Sequence, residues 1–202
     1  MIDSGSVEAG ASDSRRGSDR RTAICNAVCE LLAKVGYDRM TMDAIANQAK
    51  ASKATIYRMW PDKPQLVVEA LQCQFGASAD APDTGSLRGD LLALLNTACY
   101  TADGETGEVM VGVLTAAGHD PQLAETLTRT LYKDKSQLHA ELVRRAVARG
   151  EVHAEADPSI LHEVMHSMIS GRKLWQFGPL DEEFARHMVD DILIPILMHR
   201  QP

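Results

Sequence analysis

Apolar side chains recur along most of this chain with the spacing of an amphipathic helix rather than the alternation of a strand. Ile24, Ala27, Val28, Leu31, Leu32 and Val35 stand at i, i+3, i+4, i+7, i+8 and i+11, which predicts a helix from a cap at Ser18 or Asp19 to about Val35, stopped by Gly36. Ala44, Ile45 and Ala49 give a shorter, narrower apolar face behind Thr41, whose hydroxyl can take an orphan backbone N–H. Ser52 can cap a second short helix in which Ile56 faces inward, and Pro61 ends it. Leu66, Val67, Ala70, Leu71 and Phe75 predict a further helix from Lys63 to about Ala77.

Beyond the loop-like run GASADAPDTGS, Leu87 to about Thr101 is apolar on most faces and predicts a central helix of a second domain. Glu105 to Ala117 is weakened by Gly107 and Gly112 but still reads as helical. Pro121 to Arg149 forms the longest periodic stretch, opened by a first-turn proline and closed by Gly150. Asp157-Pro158 opens another helix to about Trp175, and Leu180-Asp181 opens the last, to about Met198, with a kink expected at Pro195. Residues 1 to 17, rich in Ser, Gly, Ala and Asp without periodicity, read as a disordered arm, either a solvated terminus or, through Arg15 and Arg16, a basic arm for an anionic partner.

Composition agrees with helices: aromatic residues make up only 4% of the 202, while Ala, Leu and Met are plentiful. All-α is therefore the expected class. The net charge of −7 would argue against a nucleic-acid partner if it were evenly spread. It is not: residues 14 to 64 carry a balance of +5 and residues 65 to 202 one of −9, a basic module on an acidic body. Four cysteines, Cys25, Cys29, Cys73 and Cys99, contain no CxxC pair and read as reduced core thiols of a cytoplasmic protein. No apolar run is long enough for a membrane span.

The stretch from Thr41 to Lys63, TMDAIANQAKASKATIYRMWPDK, carries the sharpest signal. Two short helices joined by a tight turn, with alanines at 44, 46, 49, 51 and 54 where the helices must touch, describe a helix-turn-helix. Gly36-Tyr37, Thr41, Ile45-Ala46, the run from Ala49 to Tyr57 and Trp60-Pro61-Asp62-Lys63 resemble the DNA-binding domain of the tetracycline-repressor (TetR) family. The detailed resemblance covers residues 18 to 66, leaving 67 to 202 as a regulatory and dimerisation domain. Lys50 departs from the family pattern, standing where a glycine is usual. A non-glycine residue in a left-handed conformation there costs on the order of 1 kcal/mol.

The resemblance implies phosphate contacts from Thr41, Ser52, Tyr57 and Lys63 and base contacts from Lys53, Ala54, Thr55 and Arg58; Lys50, a departure from the pattern, either reshapes the turn or bears the strain and gains a phosphate contact of its own. It further implies double-stranded operator DNA as partner and a homodimer through the last two helices. A small-molecule effector is expected among the helices of the body. Phe75, Tyr100, Met110, Leu114, Met165, Met168, Trp175 and Phe177 are its candidate contacts, because Met and aromatic side chains line adaptable apolar cavities. The alternatives are a DNA-binding dimer without effector and a zinc protease. His162-Glu163-Val164-Met165-His166 matches HExxH, but Arg172 stands where the extended motif would place a third ligand, and Glu182 and Glu183 lie beyond a Gly-Pro turn. Neither a catalytic group nor a metal nor a cofactor is assigned from the sequence.

Overall fold

The computed structural model describes residues 6–75 and 81–199, with side chains for 17–74, 81–130 and 136–199, and every regular element among them is helical. The chain divides into two compact units, 1–77 and 78–202.

In the first unit α1 (Ser6–Arg39), α2 (Met42–Gln48), α3 (Lys53–Met59) and α4 (Lys63–Phe75) surround a core of Ile24, Val28, Leu32, Ile45, Ile56 and Leu66. Trp60, between α3 and α4, is 2% exposed and lies under the Arg21 guanidinium, 5.7 Å from its ring centre. Gly36 interrupts α1 with φ 74° and ψ 171°, as its role of helix stop requires, and only one more turn follows to Arg39. Because α4 packs along α1, the division falls at 77/78 rather than at the expected 66/67.

The expected arm differs as well. Helical backbone begins at Ser6, so only residues 1–5 of that segment lie outside the described residues. No proline precedes Pro61, and a helix already nucleated over 18–35 extends at little cost per added residue.

The second unit holds α5 (Leu87–Ala102), α6 (Glu105–Ala117), α7 (Pro121–Leu127), α8 (Lys133–Ala148), α9 (Ser159–Trp175), α10 (Glu182–His187) and α11 (Ile194–Met198). Leu91, Leu95, Leu142, Leu161, Met188 and Leu193 are fully buried at its centre. The long helix expected from Pro121 is continuous to Ala148 but widens to a π-helical segment at Thr128–Tyr132. The last helix widens likewise at Met188–Leu193, with Ile194 alone between it and Pro195 at the start of α11. That placement has a cause: proline offers no N–H to the carbonyl four residues back, and a wider turn relieves the clash of its ring.

One buried carboxylate is tied down within this unit. Asp90, fully buried in the first turn of α5, accepts from the Thr84 N–H (2.6 Å) and Thr84 Oγ1 (2.8 Å) and pairs with Arg149 at 3.2 Å. Burial pushes its carboxyl up, but the two Thr84 bonds and Arg149 outweigh that and hold it below the usual carboxylate range.

Candidate nucleic-acid interface

The helix-turn-helix is built by its caps. Thr41 Oγ1 accepts from the Ala44 N–H at 3.1 Å to start α2, and Ser52 Oγ accepts from the Thr55 N–H at 3.1 Å to start α3. Between them the Ala51 N–H reaches the Ala46 carbonyl (2.9 Å) and the Lys50 N–H the Asn47 carbonyl (3.2 Å), the paired bonds of a Schellman stop. Lys50 occupies its left-handed position with φ 49°. The strain that the Lys-for-Gly departure raised is thus present in the backbone.

On α3, Ile56 is 1% exposed and anchors the helix, whereas Lys53, Ala54, Tyr57 and Arg58 are exposed and Thr55 is half-buried. These five and the exposed Ser52 form one outward surface, so the residues expected near bases do come together. Lys53 Nζ is paired with Asp43 Oδ2 across the two motif helices at 2.6 Å. With both side chains more than half exposed, that pair is worth at most about 1 kcal/mol, little enough for Lys53 to exchange Asp43 for a phosphate or base. Asp43 was not legible as its partner, since nothing local joins positions 43 and 53.

Lys63 is placed differently from the expectation. Its ammonium donates to the carbonyls of Tyr37 (3.0 Å) and Met40 (3.3 Å) and lies 3.9 Å from the Tyr37 ring centre. It clasps the carbonyl end of α1 and the turn into α2, where a cation also meets the negative end of the helix dipole. Its charge is therefore engaged inside the unit rather than offered at the surface. Thr41 and Lys50 are exposed, as a phosphate contact needs.

The expected effector contacts do not gather into one enclosure. Tyr100, Trp175 and Phe177 are 87%, 67% and 73% exposed, and only backbone is described at Phe75. Met165 is buried in the core of the second unit with Met168 packed against it, and Met110 and Leu114 are half-buried on α6, which packs on α9. Residue type marks adaptability; it does not say which way a helix face turns. A separate groove is lined by Ile160, Ile192, Pro195 and Ile196, with Asp157 and Asp191 beside them.

His162 and His166 stack at 5.5 Å between ring centres, and the buried His139 of α8 stands 5.7 Å from His162. Glu163 is exposed, and Glu182 and Glu183 open α10. The HExxH residues thus form part of a histidine group on the α8–α9 seam.

A helix-turn-helix with this outward surface, followed by an all-helical second unit, has close counterparts. The profile of bacterial regulatory proteins of the tetR family matches residues 24–70, and that of the tetracyclin repressor-like C-terminal domain matches residues 81–192. The DNA-binding transcriptional repressor TetR of Mycobacteroides abscessus is 34% identical over 183 residues, covering 90% of this chain and 96% of that protein. An uncharacterized HTH-type transcriptional regulator of Mycobacterium tuberculosis, Rv1556, is 33% identical over 180 residues, covering 89% of each. Among solved structures, the TetR family transcription regulator SCO0332 superposes with a TM-score of 0.71 at 27% identity, covering 86% of this chain and 96% of that one. Fold, motif and relatives agree: this chain belongs to the TetR family of DNA-binding transcriptional regulators.

Proposed function

We propose that this chain is a homodimeric repressor that binds palindromic operator DNA through α3 and is released by a small, largely hydrophobic effector in the second unit. The observation that carries the DNA half is the outward surface of α3, where Lys53, Ala54, Thr55, Tyr57 and Arg58 flank the buried anchor Ile56. Side chains on the exposed face of a second motif helix reach base edges in the major groove, while hydroxyls and cations around it meet phosphates. That Mycobacteroides abscessus relative being a repressor supports the sign of regulation.

A second copy is supported by apolar side chains that one chain leaves in water. Leu174, Trp175 and Phe177 at the end of α9, with Ile196 and Met198 on α11, are all exposed. Covering them with the same surface of a second chain would remove large apolar groups from water and give the molecule the two α3 helices that a two-fold symmetric site calls for. Met110, Leu114, Met165 and Met168, on the packed pair α6 and α9, are the most suitable wall for an effector. Release then requires the effector to prefer the conformation whose two heads no longer match the half-site spacing, because equal affinity for both shifts nothing.

The test is protection of DNA upstream of the protein's own coding region, followed by a compound screen for loss of protection. Protection of a two-fold symmetric site by a sedimenting dimer is expected, with release by apolar compounds. Retention of no duplex at low ionic strength, or a monomer at micromolar concentration that Trp175→Asp does not alter, overturns the reading. A dimer that no compound releases would leave the effector-independent alternative.

A further inference from the structure

The seam between α1 and α4 contains three donor side chains that the DNA-binding role does not use. Cys25 of α1 is 1% exposed and faces α4. Glu69 and Cys73 stand four residues apart on α4 and so share one face of it. The Cys25 Sγ, the Cys73 Sγ and a Glu69 carboxylate oxygen all lie within 4.8 Å of one another. Burial grades across the set, from buried Cys25 through half-buried Glu69 to exposed Cys73, so the group opens to solvent on the Cys73 side.

Thiolates bind zinc at about 2.3 Å and carboxylates at about 2.0–2.2 Å, so donors around a tetrahedral ion stand roughly 3.5–3.8 Å apart. The three groups are within about 1 Å of that spacing, a contraction that side-chain rotation can supply. Sulfur donors select thiophilic ions over magnesium or calcium. Charge also closes: two thiolates and a carboxylate are offset by one divalent ion and by Arg21, which holds both Glu69 oxygens, Nε on Oε1 and Nη2 on Oε2 at 2.6 Å, and leaves each oxygen a second lone pair. Arg21 would orient the carboxylate from behind, as a neighbour of a metal ligand commonly does. Cys29, one turn further along α1, donates its thiol to the Ala70 carbonyl, which makes it a packing residue rather than a donor; burial and the neighbouring Cys73 thiol push the Cys25 thiol up, a cost that the bound cation has to offset.

We propose that Cys25, Glu69 and Cys73 form a binding site for a thiophilic divalent cation of the zinc class, with an open fourth position, that fastens α4 to α1 within the DNA-binding unit. The sequence could not show it: Cys25 and Cys73 are 48 residues apart and no short motif joins them. The site does not depend on the operator or effector reading.

The experiment uses the full chain, purified reduced and metal-free, titrated with Co²⁺ and then with Zn²⁺. One Co²⁺ per chain with thiolate-to-cobalt charge-transfer absorption is expected, displaced by Zn²⁺, together with a raised unfolding temperature. Cys73→Ser, at an exposed position that folding tolerates, should abolish the absorption, and Glu69→Gln should weaken Zn²⁺ binding by at least about tenfold. Cys99→Ser, in the second unit, should leave both unchanged. Absence of thiolate–cobalt absorption in the wild-type chain, or its persistence in Cys73→Ser, overturns the site. So does a chain that binds no cobalt but loses two hydrogens in mass with peroxide, which would make the pair a disulfide instead.

Discussion

Lys50→Gly should stabilise the first unit although it removes a surface charge and adds no contact. At φ 49°, Lys50 holds the left-handed position of the Schellman stop between α2 and α3. For a residue with a Cβ that conformation costs roughly 1–2 kcal/mol, whereas glycine adopts it freely. Against this, glycine enlarges the conformational freedom of the unfolded chain and returns about 0.4–1 kcal/mol of the gain. The net expected is a stabilisation of about 0.8 kcal/mol, the difference between the middles of those two ranges. Lys50→Ala is the proper reference, because it deletes the same charge and keeps the strain. Urea unfolding of both variants, followed by circular dichroism, should give the glycine variant the higher midpoint at equal slope. If it is no more stable than Lys50→Ala, either the left-handed backbone is not strained or the stop has another geometry, and the reasoning from φ fails. The same two proteins separate the DNA role of Lys50: if its ammonium meets a phosphate, both should bind DNA with a salt slope lowered by about one, regardless of sequence.

Three other outcomes follow from contacts described above. Lys63→Ala should lower stability by about 1.5–3 kcal/mol, the range for hydrogen bonds to a charged group, while leaving the salt slope of DNA binding unchanged; a slope lowered by one would show that the ammonium serves phosphate instead. Arg58→Ala should relax preference at one base pair by about 1–3 kcal/mol with little effect on random DNA, read by selecting bound sequences from a degenerate pool. Asp90 has a depressed folded-state pKa, so its contribution is complete above the unfolded carboxylate range, near pH 4, and is lost as pH falls through the lower folded value. Asp90→Asn should therefore be less stable than wild type at neutral pH and converge with it in acid, measured by thermal unfolding across pH; parallel curves would refute the assignment.

Most of the fold was legible because its determinants are contiguous in the chain. Thr41 and Ser52 cap the helices they precede, Gly36 and Gly150 end helices with φ 74° and 75°, and Glu105–Ala117 forms despite its two glycines. The exposed face of α3 was legible for the same reason, since Ile56 alone fixes which side of a seven-residue helix is inside. What could not be read joins distant positions. Lys63 with Tyr37, Lys53 with Asp43 and Cys25 with Cys73 each depend on how helices pack, and no periodicity in one segment records its neighbour's register. The effector candidates failed to converge on a related ground. Tyr100, Trp175 and Phe177 have the residue types of a pocket, but in a single chain the helices of the first two and the turn after α9 leave all three in water.

The donors of the motif sort by what their chemistry allows them to do twice. A hydroxyl both accepts and donates, so Thr41 and Ser52 can each cap a helix by accepting a backbone N–H and still have a proton to give a phosphate oxygen. Ser52 Oγ already shares a 2.8 Å bond with Thr55 Oγ1, which holds both groups at the same exposed edge of α3. A lysine ammonium only donates, and two of the three protons on Lys63 are directed at carbonyls of its own chain. Turning it to DNA would strip the end of α1 of its counter-charge, whereas the caps need give up nothing. Thr41→Ala and Ser52→Ala should consequently lower stability and DNA affinity together, and a valine at position 41, which fills the same space without a hydroxyl, should do no better.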